Sequence, residues 1–151
     1  MSFETTSDIL EHAQKFHRFL AQMYEDLSSH TDKQRMKMLL DYMSRHESHL
    51  SEATQQYSED ASPKIKRTWF QFTPCEALAQ AIKENRLSTL MSFDEVVEIA
   101  VKLDDCLINI YRKLAESAES IEVREIFLNL LALEHKEKLR LVKNTLRLQD
   151  L

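Results

Sequence analysis

Apolar residues recur at intervals of three and four along four long stretches of the chain, the spacing that lines one face of an α-helix. In the first, about residues 8–28, they are Ile9, Ala13, Phe16, Leu20, Met23 or Tyr24, and Leu27. Asp8 with Glu11 offers a capping box at its start, two side chains each satisfying an otherwise unpaired backbone donor. The second stretch, about 32–57, opens with Thr31 and Gln34 at the same spacing and carries Met36, Leu39, Leu40, Met43, His46, Leu50, Ala53 and Tyr57. Ser92 with Glu95 begins the third, about 93–117, with Val97, Ala100, Val101, Asp104, Leu107, Ile108, Tyr111 and Leu114 on its stripe. Ser120 precedes the fourth, about 121–148, whose stripe reads Phe127, Leu128, Leu131, His135, Leu139, Val142 and Leu146. Residues 58–73 break the period. Ser58 to Pro63 is a loop by composition, and Trp69 to Phe72 is too short and isolated to predict a sheet, so it is expected to pack across the side of the helices. Thr73-Pro74-Cys75-Glu76 then supplies an N-cap, a proline at the first helical position and an early acid, which predicts a short helix over about 74–84.

Short links within each pair of long helices and one link of more than thirty residues between the pairs predict a four-helix bundle. It consists of two helical hairpins joined by a long crossover that contains the short helix, in one domain spanning 1–151. Composition supports the helical class: the chain has no glycine and two prolines, and sheet proteins rely on glycine for turns and bulges. A formal net charge of −5 without a dense basic cluster argues against a nucleic-acid partner, and no apolar run is long enough to predict a membrane span. Cys75 and Cys106 form no CxxC pair, and two lone thiols with no evident leader predict a cytoplasmic protein.

The two hairpins resemble each other. At an offset of 87, Leu10, Ala13, His17, Leu20, Tyr24 and Leu27 match Val97, Ala100, Asp104, Leu107, Tyr111 and Leu114. In the second helix of each hairpin an offset of 89 matches Arg35 with Arg124, Leu39 with Leu128, His46 with His135 and Leu50 with Leu139, which predicts a slightly longer second turn.

Polar residues interrupt the apolar stripes at one level: His17 on the first helix, His46 and His49 on the second, Asp104 on the third, His135 and Lys138 on the fourth. Buried ionisable groups have to be paired, metal-bound or bridged by water. Tyr24 and Tyr111 each lie seven residues after the polar residue of their helix, and Leu50 and Leu139 follow His49 and Lys138.

This frame resembles the ferritin-like, rubrerythrin-type family from Asp8 to about Leu146, apart from the crossover. Members of that family carry Glu on the first and third helices and Glu-x-x-His on the second and fourth. The resemblance places His17 and Asp104 at the single glutamates, and His46-x-x-His49 and His135-x-x-Lys138 at the paired motifs. No family glutamate then survives, and Glu47 and Glu134 stand one residue off, about 100° around the helix. Ordinary di-iron chemistry is therefore not expected.

Two readings follow. The favoured one is a non-catalytic helical binding or scaffolding protein with a relic polar core, Asp104 paired with Lys138 or a protonated histidine, Tyr24 and Tyr111 capping it. Such a protein holds no metal, and a homodimer is one form it could take. The other is a metal-binding or redox protein in which His17, His46, His49 and His135 hold one zinc, iron, copper or nickel ion, with Lys138 in place of the second cation.

Overall fold

A computed structural model describes residues 2–67, 69–72 and 92–149. Its main elements are four long helices, α1 (Thr6–His30), α2 (Gln34–Asp60), α4 (Phe93–Ser117) and α5 (Ile121–Gln149), with a single-turn α3 (Pro63–Lys66) after α2. The expected helix over 74–84 and Cys75 lie outside the described residues. Helices α1 and α2 form one packed pair and α4 and α5 the other, with α2 also lying against α5.

The helix starts show which side chains won the capping competition. At α1 the cap is Thr5, three residues earlier than the expected Asp8: the Asp8 amide donates to Thr5 Oγ1 at 3.1 Å, and the Thr5 amide donates to Asp8 Oδ2 at 3.3 Å. Asp8 thus sits at the third helical position of a box rather than at its head. At α2 the expected Thr31–Gln34 box does not form; Lys33 occupies the cap position without a side-chain bond, and Thr31 Oγ1 accepts from the Lys33 amide instead. Ser92 and Glu95 form the expected box on α4, and Ser120 Oγ accepts from the Val123 amide at the head of α5.

The Trp69–Phe72 segment is a strand, contrary to expectation. β2 (Trp69–Phe72) pairs antiparallel with β1 (Ser2–Thr5), Ser2 opposite Phe72 and Thr5 opposite Trp69. A four-residue run looks isolated in sequence when its partner is more than sixty residues away. Cys106 is disulfide-bonded, so the reading of two lone thiols fails, and with it the thiol argument for a reducing compartment. No described helix is long and apolar enough to cross a membrane.

The internal repeat is stronger than the sequence implied. Thr6 and Phe93 begin α1 and α4, and Gln34 and Ile121 begin α2 and α5, each pair 87 residues apart. Both turns are therefore three residues long, and the expected shift to 89 in the second helix of each hairpin does not occur. At the uniform offset, buried positions coincide: Met36 with Val123, Leu40 with Phe127, Met43 with Leu130, Glu47 with Glu134 and Thr54 with Leu141. On the other two helices Ile9 pairs with Val96, His17 with Asp104, and Tyr24 with Tyr111.

Two apolar blocks make up the core. One gathers Leu10, Leu107, Tyr111, Leu114, Phe127 and Leu130, and the other Leu20, Tyr24, Leu39, Met43, Leu103 and Leu141. On each long helix a polar residue separates the two blocks, so the core is divided by a buried polar layer.

Candidate metal centre

His17 lies between Ala13 and Leu20 on the inner face of α1 and is fully buried. Its imidazole spans two carboxylates: Nδ1 is 2.5 Å from Glu47 Oε2 on α2, and Nε2 is 2.8 Å from Glu134 Oε1 on α5. Both glutamates are buried and occupy equivalent places in the repeat. Burial opposes a charge on His17, but the Glu134 and Glu47 carboxylates outweigh it and push its pKa up to about 10. At neutral pH the ring is an imidazolium held between two anions.

His46, one position before Glu47 on α2, faces the other side of the same layer. Its Nε2 is 3.8 Å from Asp104 Oδ2 on α4, and its Nδ1 is 3.3 Å from Glu137 Oε2 on α5. Among the described residues these contacts are ion pairs without hydrogen-bond geometry at either nitrogen of His46, as at His17 Nε2, and Asp104 Oδ2 and Glu134 Oε2 also lack a hydrogen-bond partner. Burial opposes protonation of His46, and the carboxylates of Asp104, Glu47 and Glu137 reverse the balance, raising its pKa. Burial likewise raises the pKa of Asp104, with His46 pulling it back and Glu47 pushing it further. One donor atom each from His46, Glu47 and Asp104 fits within a 4.8 Å cluster, all three residues buried.

The six polar residues expected at one level divide into two sets of three. His17, His46 and Asp104 do converge, but His49 stands at the rim with its side chain 55% exposed, its Nε2 3.6 Å from Glu137 Oε1. His135 is exposed on the outer side of α5 and takes no part in the layer. Lys138 is partly buried and pairs with Asp105, not with Asp104. Glu47 and Glu134, expected to lie off the shared face, are buried in it, as is Glu137.

The reason is geometric. The buried sector of a helix packed on two sides is wider than 100°, so neighbouring residues such as His46 and Glu47 can both face in. On α5 the inner face runs through Val123, Phe127, Leu130, Glu134, Glu137 and Leu141, while Leu128, Leu139, Val142 and Leu146 are exposed. The inner face carries two glutamates and the outer one leucines, so hydrophobicity selects the wrong face. The equal three-residue turns of the two hairpins would have matched Glu47 to Glu134 in the sequence.

Tyr24 and Tyr111 flank the layer, fully buried, with hydroxyls that find no hydrogen-bond partner among the described residues. Burial pushes both phenols well above their usual pKa; Glu47 and Asp104 add to this at Tyr24, Glu134 and Glu47 at Tyr111. Both stay protonated.

A cleft of about 410 Å³ between α2 and α5 reaches the layer from solvent, lined by Tyr42, Arg45, His46, His49, Glu137 and Arg140 among others. Arg140 Nη1 lies 3.2 Å from Glu137 Oε1 at this mouth. No protein family, no curated protein and no solved structure matches the chain.

Proposed function

We propose that the buried layer binds one divalent metal ion through His46, Glu47 and Asp104, beside the protonated His17, which serves as a fixed positive charge. The observation that carries this reading is the meeting of three buried donor residues from two helices, where among the described residues both nitrogens of His46 and one oxygen of Asp104 lack well-formed hydrogen bonds. Buried polar atoms held only by long or poorly aligned contacts to carboxylates are costly, and a cation is one agent that satisfies them together.

Charge accounting supports a single divalent ion. Glu47, Asp104, Glu134 and Glu137 bring four carboxyl groups into the layer. His17 supplies one positive charge, Arg140 at Glu137 a second, and a divalent ion with neutral His46 the remaining two. Without metal, protons on His46 and Asp104 do the same work, which agrees with the upward direction of both pKa values. Metal uptake therefore displaces protons. Nitrogen and carboxylate donors suit iron(II), manganese or zinc better than copper(I), and three protein ligands leave positions for water or a substrate arriving through the α2–α5 cleft.

Four carboxylates and two histidines from four helices also make the ferritin-like kinship a stronger proposal than the sequence motifs allowed. Glu134 and Glu137 keep the i, i+3 spacing of the family's paired motif with a carboxylate in the second place. In this reading His17, rather than Lys138, substitutes for the second cation.

A metal-free scaffold with a proton-balanced core is the competing reading, favoured by the direct span of His17 between Glu47 and Glu134. Metal analysis of untagged protein after anaerobic exposure to iron(II), manganese or zinc separates the two. The metal reading expects roughly one equivalent per chain, falling to under about a tenth in Asp104→Asn and His46→Leu but unchanged in His135→Ala. If the parent chain retains less than about a tenth of an equivalent of every metal, the scaffold reading stands.

A further inference from the structure

The inner and outer faces of α5 present different problems. The inner one is the core and the polar layer; the outer one exposes Ile121 at 70%, Leu128 at 45%, Leu139 at 57%, Val142 at 38% and Leu146 at 58%. Together these side chains leave roughly 500 Å² of apolar surface on one helix, at the upper end of what a monomer ordinarily carries.

The internal repeat provides a control. α2 is the counterpart of α5 at the 87-residue offset, and the residues matching those five are Gln34, Asp41, Glu52, Gln55 and Glu59. One fold position therefore carries a polar outer face in one hairpin and an apolar one in the other. Folding the hairpin does not require the leucines.

Their spacing identifies the kind of partner. Ile121, Glu125, Leu128, Ala132, His135, Leu139, Val142 and Leu146 follow strict alternating steps of four and three. With Glu125, Ala132 and His135 filling the places between the five apolar residues, that stripe suits a helix packing lengthwise against another helix.

We propose that this face docks the same face of a second copy of the chain, α5 against α5, antiparallel. Antiparallel pairing brings Leu139 against Leu128 of the partner subunit, Leu146 against Ile121 of the partner subunit, His135 against the small Ala132 of the partner subunit, and Val142 against Glu125 of the partner subunit. Charge favours this direction. Glu122 and Glu125 lie at the N-terminal end of the stripe and Lys143 and Arg147 at its C-terminal end, so Glu122 meets Lys143 of the partner subunit, whereas parallel chains would set like charges side by side. Glu122 and Lys143 are exposed and make no ion pair among the described residues. Five residues from each copy already remove about 1,000 Å² in total, the lower bound of a specific interface, before flanking side chains are counted. The opposite face of α5 holds Glu134 and Glu137, so the contact leaves the polar layer itself covered as before.

Light scattering coupled to size-exclusion chromatography on the untagged full chain tests this between about 1 and 100 µM. Twice the chain mass is expected at the upper concentration, and the mass of a single chain for Leu128→Glu/Leu139→Glu with unchanged far-ultraviolet circular dichroism. Glu122→Lys alone is expected to weaken association about tenfold and Glu122→Lys/Lys143→Glu to restore it, a result that does not depend on the leucine variant folding. A parent chain that stays monomeric at about 100 µM, or a dimer that survives both glutamate substitutions, would overturn the proposal. Neither result bears on metal content, which is read from a different set of residues.

Discussion

Removing His17 alone should be among the most damaging single changes available to this chain. His17→Leu deletes a fully buried imidazolium that lies 2.5 Å from Glu47 and 2.8 Å from Glu134, leaving two buried carboxylates facing each other. The cost follows from two routes. Proton linkage between an ordinary histidine pKa of 6.5 and the folded value of about 10 corresponds to about 4 kcal/mol at pH 7. Breaking one partner out of a buried ion pair costs about 3–5 kcal/mol in other proteins, the same range. At about 2–4 °C per kcal/mol for a chain of this length, Tm should fall by roughly 8–16 °C. Urea unfolding in EDTA at pH 7, followed by circular dichroism, gives the free energy directly. The triple change His17→Leu, Glu47→Leu, Glu134→Leu should recover most of the loss, because the charges leave together and their volume is refilled by apolar groups. A single variant that loses less than about 1 kcal/mol would show that the imidazolium is not what neutralises the layer.

The same group sets a pH dependence in the metal-free protein. His17 has its pKa raised on folding, so its stabilisation is complete below about 6.5 and is lost as pH climbs through about 10. Parent stability should decline across that window while His17→Leu stays flatter, and parallel slopes would remove His17 as the cause. Tyr24 and Tyr111 bury hydroxyls without partners among the described residues, so Tyr24→Phe and Tyr111→Phe in the metal-free protein should each change stability by less than about 1 kcal/mol or raise it slightly. A loss of about 2 kcal/mol in either would place a hydrogen bond from that phenol to a neighbouring carboxylate.

Sequence alone determined the four long helices, the Ser92–Glu95 cap, the two-hairpin repeat and the burial of His17, His46 and Asp104. These depend on local chemistry and on one helical period, which a linear reading preserves. The facing of α5 did not: Glu134 and Glu137 turn inward and Leu139 outward, against the hydrophobic rule, because carboxylates facing His17 and His46 are paired across the core. Likewise the pairing of β1 with β2 joins segments far apart in the chain. A side chain's neighbours on other helices fix whether its charge is affordable inside, and those neighbours exist only once the helices have packed.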